Sequence, residues 1–303
     1  MDSSTIVFLL ATMVAFAAPL IYAAMGELIS EKAGVINIEL EGMMLAGAFC
    51  GVWGALASGN VGLGFLAGAL GGVAVAIIHG ALCFLARAEQ VVSGVVLNIF
   101  VLGLTTFCIG PVFGTAAGHP GPTLSAVPIP LLADIPVVGR ILFNQTLGVY
   151  GSFLAVAAVW WLMARTTTGL AVKASGEVPT AAASMGIDVR RLRWMALITC
   201  GALAGIGGAQ LTLSGLGTFT QNVTAGRGFV ALAAVVFGGW RPAGTLVAVL
   251  LFTLVEAAQV NAQVNGIRLP YQLLVMAPYL VTVLALALFV GRSRPPRALG
   301  SND

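Results

Sequence analysis

Long apolar runs recur along this chain and restrict the folds open to it. They lie near residues 5–25, 43–58, 61–86, 91–113, 146–164, 195–215, 228–239, 243–260 and 271–290. A helix needs about 17 to 25 apolar residues to cross the roughly 30 Å hydrocarbon core of a bilayer. Uninterrupted runs lack the alternation of barrel strands, and backbone polar groups in lipid need partners inside the protein. The pattern therefore predicts an all-α polytopic membrane protein with roughly eight to ten transmembrane helices, some of them interrupted.

Composition excludes a soluble domain. Of the 303 residues, 59% are hydrophobic and 8% are charged, and the mean hydropathy is +1.01, whereas soluble chains carry roughly 25% charged residues. The first run is too long for a signal-peptide core and has neither a preceding basic residue nor a convincing cleavage site, so we expect a retained first helix.

Cysteine and histidine give no sign of a metal site or of histidine-based catalysis. The four cysteines are Cys50, Cys83, Cys108 and Cys200. All fall in apolar runs without metal-ligand spacing, which is typical of small buried hydrophobic residues. Of the two histidines, His79 is isolated in a span and His119 lies in a loop rich in proline and glycine. We therefore expect no metal and no cofactor to be bound by this chain.

The distribution of basic residues predicts the orientation in the membrane. Lysines and arginines concentrate in the loop 165–194, in the tail 291–303 and in a short connector at Arg87. The positive-inside rule makes these three segments cytoplasmic, including the C-terminus. Segment 115–145 then becomes an external loop or cap, and its prolines preclude a long helix.

Residues 26–42, GELISEKAGVINIELEG, hold four of the eleven acidic residues of the chain. They are Glu27, Glu31, Glu39 and Glu41. Four glutamates with one lysine do not fit an ordinary cytoplasmic loop. We expect the segment to enter the membrane partway, with a helix beginning inside the protein and the N-terminus on the cytoplasmic side. An ordinary cytoplasmic loop is the alternative.

A helix that begins at mid-depth leaves its first backbone N–H groups without intrahelical acceptors. Glu39 and Glu41 are placed to cap such a helix, and their contact with a solute is the other possibility. Asn37 is the better candidate for a direct contact.

A second interrupted segment, residues 222–228, has a similar order of Asn, polar residues, Gly and a helix start. Paired interruptions are the best sequence pointer to a substrate site in transporters. Within other spans Asn98 could bond neighbouring helices, and Glu256 could pair with a basic residue. The candidate pathway residues are Asn37, Glu39, Glu41, Asn98, Phe219, Gln221, Asn222 and Glu256.

Glycines at small-xxx-small spacing predict close helix packing. The pairs are Gly47 with Gly51, Gly64 with Gly68 and Gly72, and Gly201 with Gly205. Such spacing lets helix backbones approach closely in a membrane, where the hydrophobic effect cannot drive association.

The basic loop contains a predicted short helix. Ser175 or Gly176 can cap it, Pro179 fits its first turn, and Gly186 is placed to end it. Its residues are small rather than bulky and apolar, which favours docking of a soluble partner over lying on the membrane surface.

Three motifs in order, GELISEKAGVINIELEGMMLAGAF, GLAVKASGEVPTAAASMGIDV and GRGFVALAAVVFGGWRPAG, resemble the permease subunit of bacterial ABC importers of the branched-chain amino acid, ribose and nucleoside superfamily. The chain is most similar to the shorter permease of nucleoside-type systems that use a basic-membrane-protein lipoprotein. The resemblance implies a type II importer architecture in the bacterial inner membrane, with one transmembrane domain over residues 1–303. It also implies a coupling helix near residues 176–187, with Gly176, Glu177, Pro179, Ala182 and Gly186 matching the family loop.

The resemblance further implies three partners: a second, homologous permease forming a heterodimer, an ATP-binding subunit with two nucleotide-binding domains, and a substrate-binding lipoprotein or periplasmic protein. The chain has no phosphate-binding loop, so ATP and Mg²⁺ belong to the ATPase and this subunit is no enzyme. A simple-sugar or amino acid permease is an alternative. An ion-coupled transporter using Glu39, Glu41 or Glu256 is another. An intramembrane enzyme is disfavoured, because no span carries paired Asp residues or a Ser/His pair.

Overall fold

A computed structural model describes residues 3–114, 120–215, 217–265, 276, 280, 283 and 294–301. The elements in chain order are α1 Ser3–Lys32, α2 Leu40–Ser58, α3 Val61–Gly80, α4 Gln90–Phe113, β1 Ala126–Pro128, α5 Val138–Leu142, β2 Asn144–Thr146, α6 Leu147–Arg165, α7 Thr167–Glu177, α8 Pro179–Ser184, α9 Val189–Leu213, α10 Arg227–Phe237 and α11 Pro242–Val264. The π-helical segment Ala81–Leu85 continues α3.

The helical, multi-pass membrane architecture is confirmed. Within the described residues, 7 helices are long and apolar enough to cross a membrane. Helix α10 has only 11 residues, which is roughly 16 Å of helix and half of a crossing. Apart from residues 276, 280 and 283, the span predicted over 271–290 lies outside the described residues, as does His119. In the external segment, β1 and β2 form an antiparallel ribbon with Ala126 opposite Thr146.

Glycines allow α2, α3 and α9 to pack against one another at backbone distance. A Cβ placed on Gly47 would overlap the backbone of Gly205, and one placed on Gly72 would overlap the carbonyl of Gly201. Close packing by the small-xxx-small glycines is therefore confirmed.

The bundle has two faces, named here by the segments that lie on them. The basic face carries the loop 165–194, and the end of α1 reaches it, because Ser175 Oγ donates to the Ala33 carbonyl (3.4 Å). The opposite face carries the segment 120–146. Gln145 Nε2 there donates to the carbonyl of Ala11 in the first half of α1 (3.3 Å).

Helix α1 therefore runs from the opposite face to the basic face. The prediction that the N-terminus shares the side of the basic loop is wrong, because α1 is one 30-residue helix that continues through Glu27 and Glu31. About 45 Å of helix is enough for a complete crossing.

The basic loop contains two helices where the sequence predicted one. Helix α8 begins at Pro179, and Gly186, with φ +82°, follows its end, as predicted. Ser175 and Gly176 do not cap α8, however, because they lie in the last turn of α7. The Thr166 side chain caps α7 by accepting from the Gly169 N–H (3.0 Å).

Candidate functional site at the two interrupted helices

The first interruption covers residues 33–39, between α1 and α2. The Ile36 N–H donates to Oε1 of Gln90, the first residue of α4 (2.8 Å). The Gly42 N–H donates to Asn98 Oδ1 (2.7 Å), and Asn98 lies about two helical turns further along α4, roughly 12 Å. The segment therefore starts at the basic face, where α1 ends, and α2 begins at buried residues beside α4. Because α2 is itself long enough to cross a membrane, entry of this segment partway into the membrane stays a prediction.

Asn98, and not a glutamate, caps this helix. Its Oδ1 accepts from Gly42, and its Nδ2 donates to the Ile38 carbonyl (2.9 Å). Both ends of one amide therefore satisfy backbone groups that the interruption exposes. Asn98 therefore bonds α4 to α2 and to the segment before it, in line with its predicted role between neighbouring helices.

The prediction that Glu39 caps α2 is wrong. Glu39 occupies the N-cap position, but its side chain makes no capping hydrogen bond. Its Oε2 lies 2.6 Å from Nδ1 of His79 on α3, and both side chains are fully buried. A carboxylate in the protein interior is stable only with a close partner, so Glu39 turns toward α3 and leaves the helix N–H groups to Asn98.

Glu41 does cap a helix, but the helix is α10 and not α2. Its Oε1 accepts from the Thr224 hydroxyl (2.5 Å) and from the Gly226 N–H (2.8 Å), and its Oε2 accepts from the Gly228 N–H (2.6 Å). A carboxylate at a helix N-terminus meets free N–H groups and the positive end of the helix dipole. Glu41 lies in the first turn of α2, so its side chain connects the start of α2 to the start of α10.

The segment before α10 is shaped to present these donors. Asn222, Ala225 and Gly226 have positive φ angles of 54°, 46° and 84°, which turn the backbone sharply. Gly228 leaves no room for a side chain, because a Cβ there would overlap the backbone of Glu41.

The other members of the acidic cluster are also bound to protein groups. Trp240 Nε1 donates to Glu31 Oε2 (2.5 Å), and Cys200 Sγ donates to Glu27 Oε2 (3.5 Å). Asn37 has no exposed surface and contacts Cys200 and Met43 through Nδ2. The expectation that Asn37 touches a solute finds no support in this arrangement, because the side chain is enclosed by protein.

A cavity of about 310 Å³ lies where α2, α4 and the start of α10 meet. Its walls include three predicted pathway residues, with apolar neighbours: Glu41, Asn98, Asn222, Val95, Ile99 and Phe229. Ile99 is 67% exposed and Phe229 is 47% exposed, so the cavity opens on the outside of the bundle. Phe229 was missed from the sequence, although it directly follows Gly228 of the second interrupted segment.

Three other predicted pathway residues lie elsewhere. Phe219 is buried and packs edge-on against Phe49, with a centroid distance of 5.1 Å. Gln221 is exposed and does not line the cavity. Glu256 forms an ion pair with Arg227 at the start of α10, so the proposed pairing with a basic residue is the arrangement observed.

The residues predicted to couple to an ATPase separate into an exposed set and a buried set. Glu177 and Gly186 are exposed, and Pro179 is partly exposed. Ala182 is only 4% exposed, and a Cβ on Gly176 would overlap the Lys32 carbonyl. Gly176 and Ala182 therefore face the interior of this chain, and their part in coupling to an ATPase stays a prediction. Met185, which directly follows α8 and which the sequence did not single out, is 83% exposed.

Among the described residues, no group of three His, Cys, Asp or Glu side chains could hold a metal ion. The site consists of amides, the helix-capping carboxylate of Glu41, apolar walls and a phenyl ring. That chemistry suits binding and passage of a solute.

Comparison with known proteins identifies the family. Residues 9–293 match the family described as branched-chain amino acid transport system / permease component. The nucleoside ABC transporter permease protein NupC of Lactococcus lactis is 36% identical over 99% of this chain and 97% of its own. The guanosine ABC transporter permease protein NupQ of Bacillus subtilis is 38% identical over 94% and 92%.

A third relative differs in its assigned solute. The putative glucose ABC transporter permease protein TsgC13 of Haloferax volcanii is 38% identical over 92% of this chain and 90% of its own. No solved structure matched the chain. The family match and the three relatives together cover nearly all of the sequence, and the chain belongs to the permease components of ABC transporters, as a transport subunit rather than an enzyme.

Proposed function

We propose that this chain forms one side of the passage through which an ATP-driven importer moves a nucleoside or a related small polar solute. The observation that carries the proposal is the bond set of Glu41, which joins the starts of two interrupted helices beside an open cavity. Interrupted helices around a cavity are the usual way in which transporters bring backbone groups to a solute.

The chemistry of the cavity suits a flat, uncharged solute. Asn222 offers an amide, Phe229 offers a ring face, and Val95 and Ile99 supply apolar surface. The carboxylate of Glu41 already accepts hydrogen bonds from three donors of this chain. A nucleobase could therefore stack on Phe229 and bond to Asn222 without facing an unpaired charge.

Two relatives are named for nucleoside or guanosine transport, which supports a nucleoside over an amino acid. The relative named for glucose is as similar as either of these. A simple sugar is therefore the second candidate.

A second, homologous permease would close the open side of the cavity. The side of α4 that carries Ile99 is apolar and exposed, and it extends the cavity rim. Its exposed residues include Val92, Val96, Phe100, Leu104 and Phe107. Two such subunits facing each other, as a heterodimer, would enclose the solute between them.

The basic face would be cytoplasmic and would receive the ATP-binding subunit, with its two nucleotide-binding domains, at α8. Glu177 and Met185 are the exposed residues there that a partner could contact. A substrate-binding lipoprotein or periplasmic protein would deliver the solute at the opposite face. Glu39, Glu41 and Glu256 all have partners within the chain, which disfavours the ion-coupled alternative.

The test is uptake by the assembled importer in proteoliposomes, with guanosine, cytidine, adenine and glucose as competing solutes. We expect ATP-dependent nucleoside uptake, and a fall of about tenfold in kcat/KM for Asn222→Gly and for Phe229→Ala. Asn222→Gly keeps the positive φ that this position requires. Gln221→Ala, one residue away but outside the cavity, is the control. Uptake that needs no ATP, or equal loss in the control, would contradict the proposal.

A further inference from the structure

A second cavity, of about 500 Å³, lies at the basic face between the ends of α1 and α6, the middle of α7 and the start of α11. Its walls combine cations with aromatic and apolar side chains: Lys32, Lys173, Arg241, Trp160, Trp240 and Leu28. None of these residues belongs to the passage described above, so transport of a solute does not account for them.

Three cations from separate elements meet at this cavity. Lys32 ends α1, Lys173 lies in α7, and Arg241 precedes α11. Lys32 is close enough to Lys173 and Arg241 to be repelled by both, and Glu177 attracts it. Three of the described residues that line the cavity are cations and none is acidic, so an anion would stabilise it.

One of the cations is held in place by the backbone. Lys173 Nζ donates to the Met163 carbonyl at the end of α6 (2.6 Å). This bond fixes the ammonium group at the cavity wall while leaving two of its three N–H groups for another acceptor. Trp240, which also lines the cavity, donates to Glu31 Oε2. With Glu31 and Glu177 both counted as negative charges, the three cations still leave a net positive charge.

The apolar part of the cavity indicates what kind of anion fits. Trp160 lies near the end of α6 and is 49% exposed, in the position that aromatic residues take at a membrane interface. Leu28 and Met163 continue the apolar wall. A free phosphate ion would leave this wall unused, whereas a lipid would place its phosphate on the cations and its glycerol and acyl chains against the wall.

We propose that this cavity binds the headgroup phosphate of an anionic phospholipid at the basic face of the subunit. Basic pockets between transmembrane helices on the cytoplasmic side are suited to such headgroups, and each cation near the surface strengthens binding by a factor of about five. A lipid bound here would connect α1, α7 and the corner between α10 and α11, next to the loop that carries α8.

The test is native mass spectrometry of the purified full-length subunit released from detergent micelles. Phosphatidylglycerol and phosphatidylcholine with identical acyl chains are added in turn, and retained lipid is counted per protein molecule. We expect the wild type to retain phosphatidylglycerol preferentially. The triple variant Lys32→Gln, Lys173→Gln, Arg241→Gln should bind it about a hundredfold more weakly.

A matched control removes the same charge from the same face. Arg87, Arg190 and Arg191 are exposed and outside the cavity, so the triple variant with Gln at these positions should keep the preference. If the triple variant does not fold, the single variant Arg241→Gln replaces it, with an expected loss of about fivefold in affinity for phosphatidylglycerol. Equal phosphatidylglycerol retention by the cavity and control variants would overturn the proposal. Displacement of the lipid by millimolar inorganic phosphate, with no preference between the two lipids, would also overturn it.

Discussion

The two interruptions of this permease are built in different ways. The first, residues 33–39, is enclosed by protein and bonded to side chains of α3 and α4, through His79, Gln90 and Asn98. The second, residues 217–226, is partly exposed and has positive φ angles at Asn222, Ala225 and Gly226. Several side chains bond to the first interruption, whereas a single carboxylate, that of Glu41, accepts the hydrogen bonds of the second.

This difference assigns separate roles to the two interruptions. The first supports the fold, and the second presents a side chain to the cavity. The enclosed interruption is bonded to Asn98 and leads into α2. The exposed one places Asn222 at the cavity and leads into α10, which carries Phe229. Function tends to lie on exposed segments positioned by a rigid scaffold. We therefore expect changes to the first interruption to lower stability and changes to the second to alter transport.

The largest effect should come from Glu41→Ala, because it leaves the Gly226 and Gly228 N–H groups and the Thr224 hydroxyl without their acceptor. We expect a loss of about 3 to 5 kcal/mol in the free energy of unfolding. Thermal unfolding in micelles measures it. Glu177→Ala, at an exposed glutamate, should change stability by less than about 0.5 kcal/mol. Similar small shifts for both variants would show that Glu41 does not hold α10.

The buried pair of Glu39 and His79 should show strong coupling. Each single change, Glu39→Gln or His79→Leu, leaves a buried polar partner behind and should cost about 3 kcal/mol. The double variant should cost clearly less than the sum, as a double-mutant cycle of unfolding measures. Additive losses would mean that the two side chains act independently.

Asn98→Leu compares the two interruptions directly. It removes the acceptor of the Gly42 N–H and the donor to the Ile38 carbonyl, so we expect a stability loss of about 1 to 3 kcal/mol. Asn222→Gly should leave the unfolding free energy within about 0.5 kcal/mol of wild type while reducing uptake. The comparison fails if Asn222→Gly destabilises the subunit as much as Asn98→Leu does.

The smallest effect on stability should come from Met185→Arg in the loop after α8. Met185 is 83% exposed, so the change should leave unfolding within about 0.5 kcal/mol of wild type. It should nevertheless reduce solute uptake per ATP hydrolysed if this surface contacts the ATPase. Ala182→Arg, at a position only 4% exposed, should instead destabilise the loop. Unchanged coupling in the Met185 variant would place the ATPase contact elsewhere.

The apolar runs were sufficient to predict most of the membrane helices, since hydrophobic length is a local property. The end of α1 was missed because Glu27 and Glu31 resemble a loop when their partners, Cys200 and Trp240, are unknown. Helix α7 was missed because its small residues were read as a cap for α8.

The candidate site was only partly predictable for the same reason. Glu41, Asn98 and Asn222 were identified as polar groups at membrane depth, and the cavity brings them together. That Glu41 caps α10 could not be predicted, because its partners lie more than 180 positions further along the chain. Asn37 has the same kind of side chain as Asn222, and only the fold shows that one is enclosed and the other exposed.

The most direct test of the account is thiol labelling of Asn222→Cys and Asn37→Cys in the assembled importer, with wild type as the background for the four native cysteines. We predict that a polar methanethiosulfonate reagent labels the cysteine at position 222 and that saturating nucleoside slows this labelling. The cysteine at position 37 should stay unlabelled with and without ATP. Labelling at position 37 that nucleoside prevents, with none at position 222, would contradict the placement of the passage at the exposed interruption.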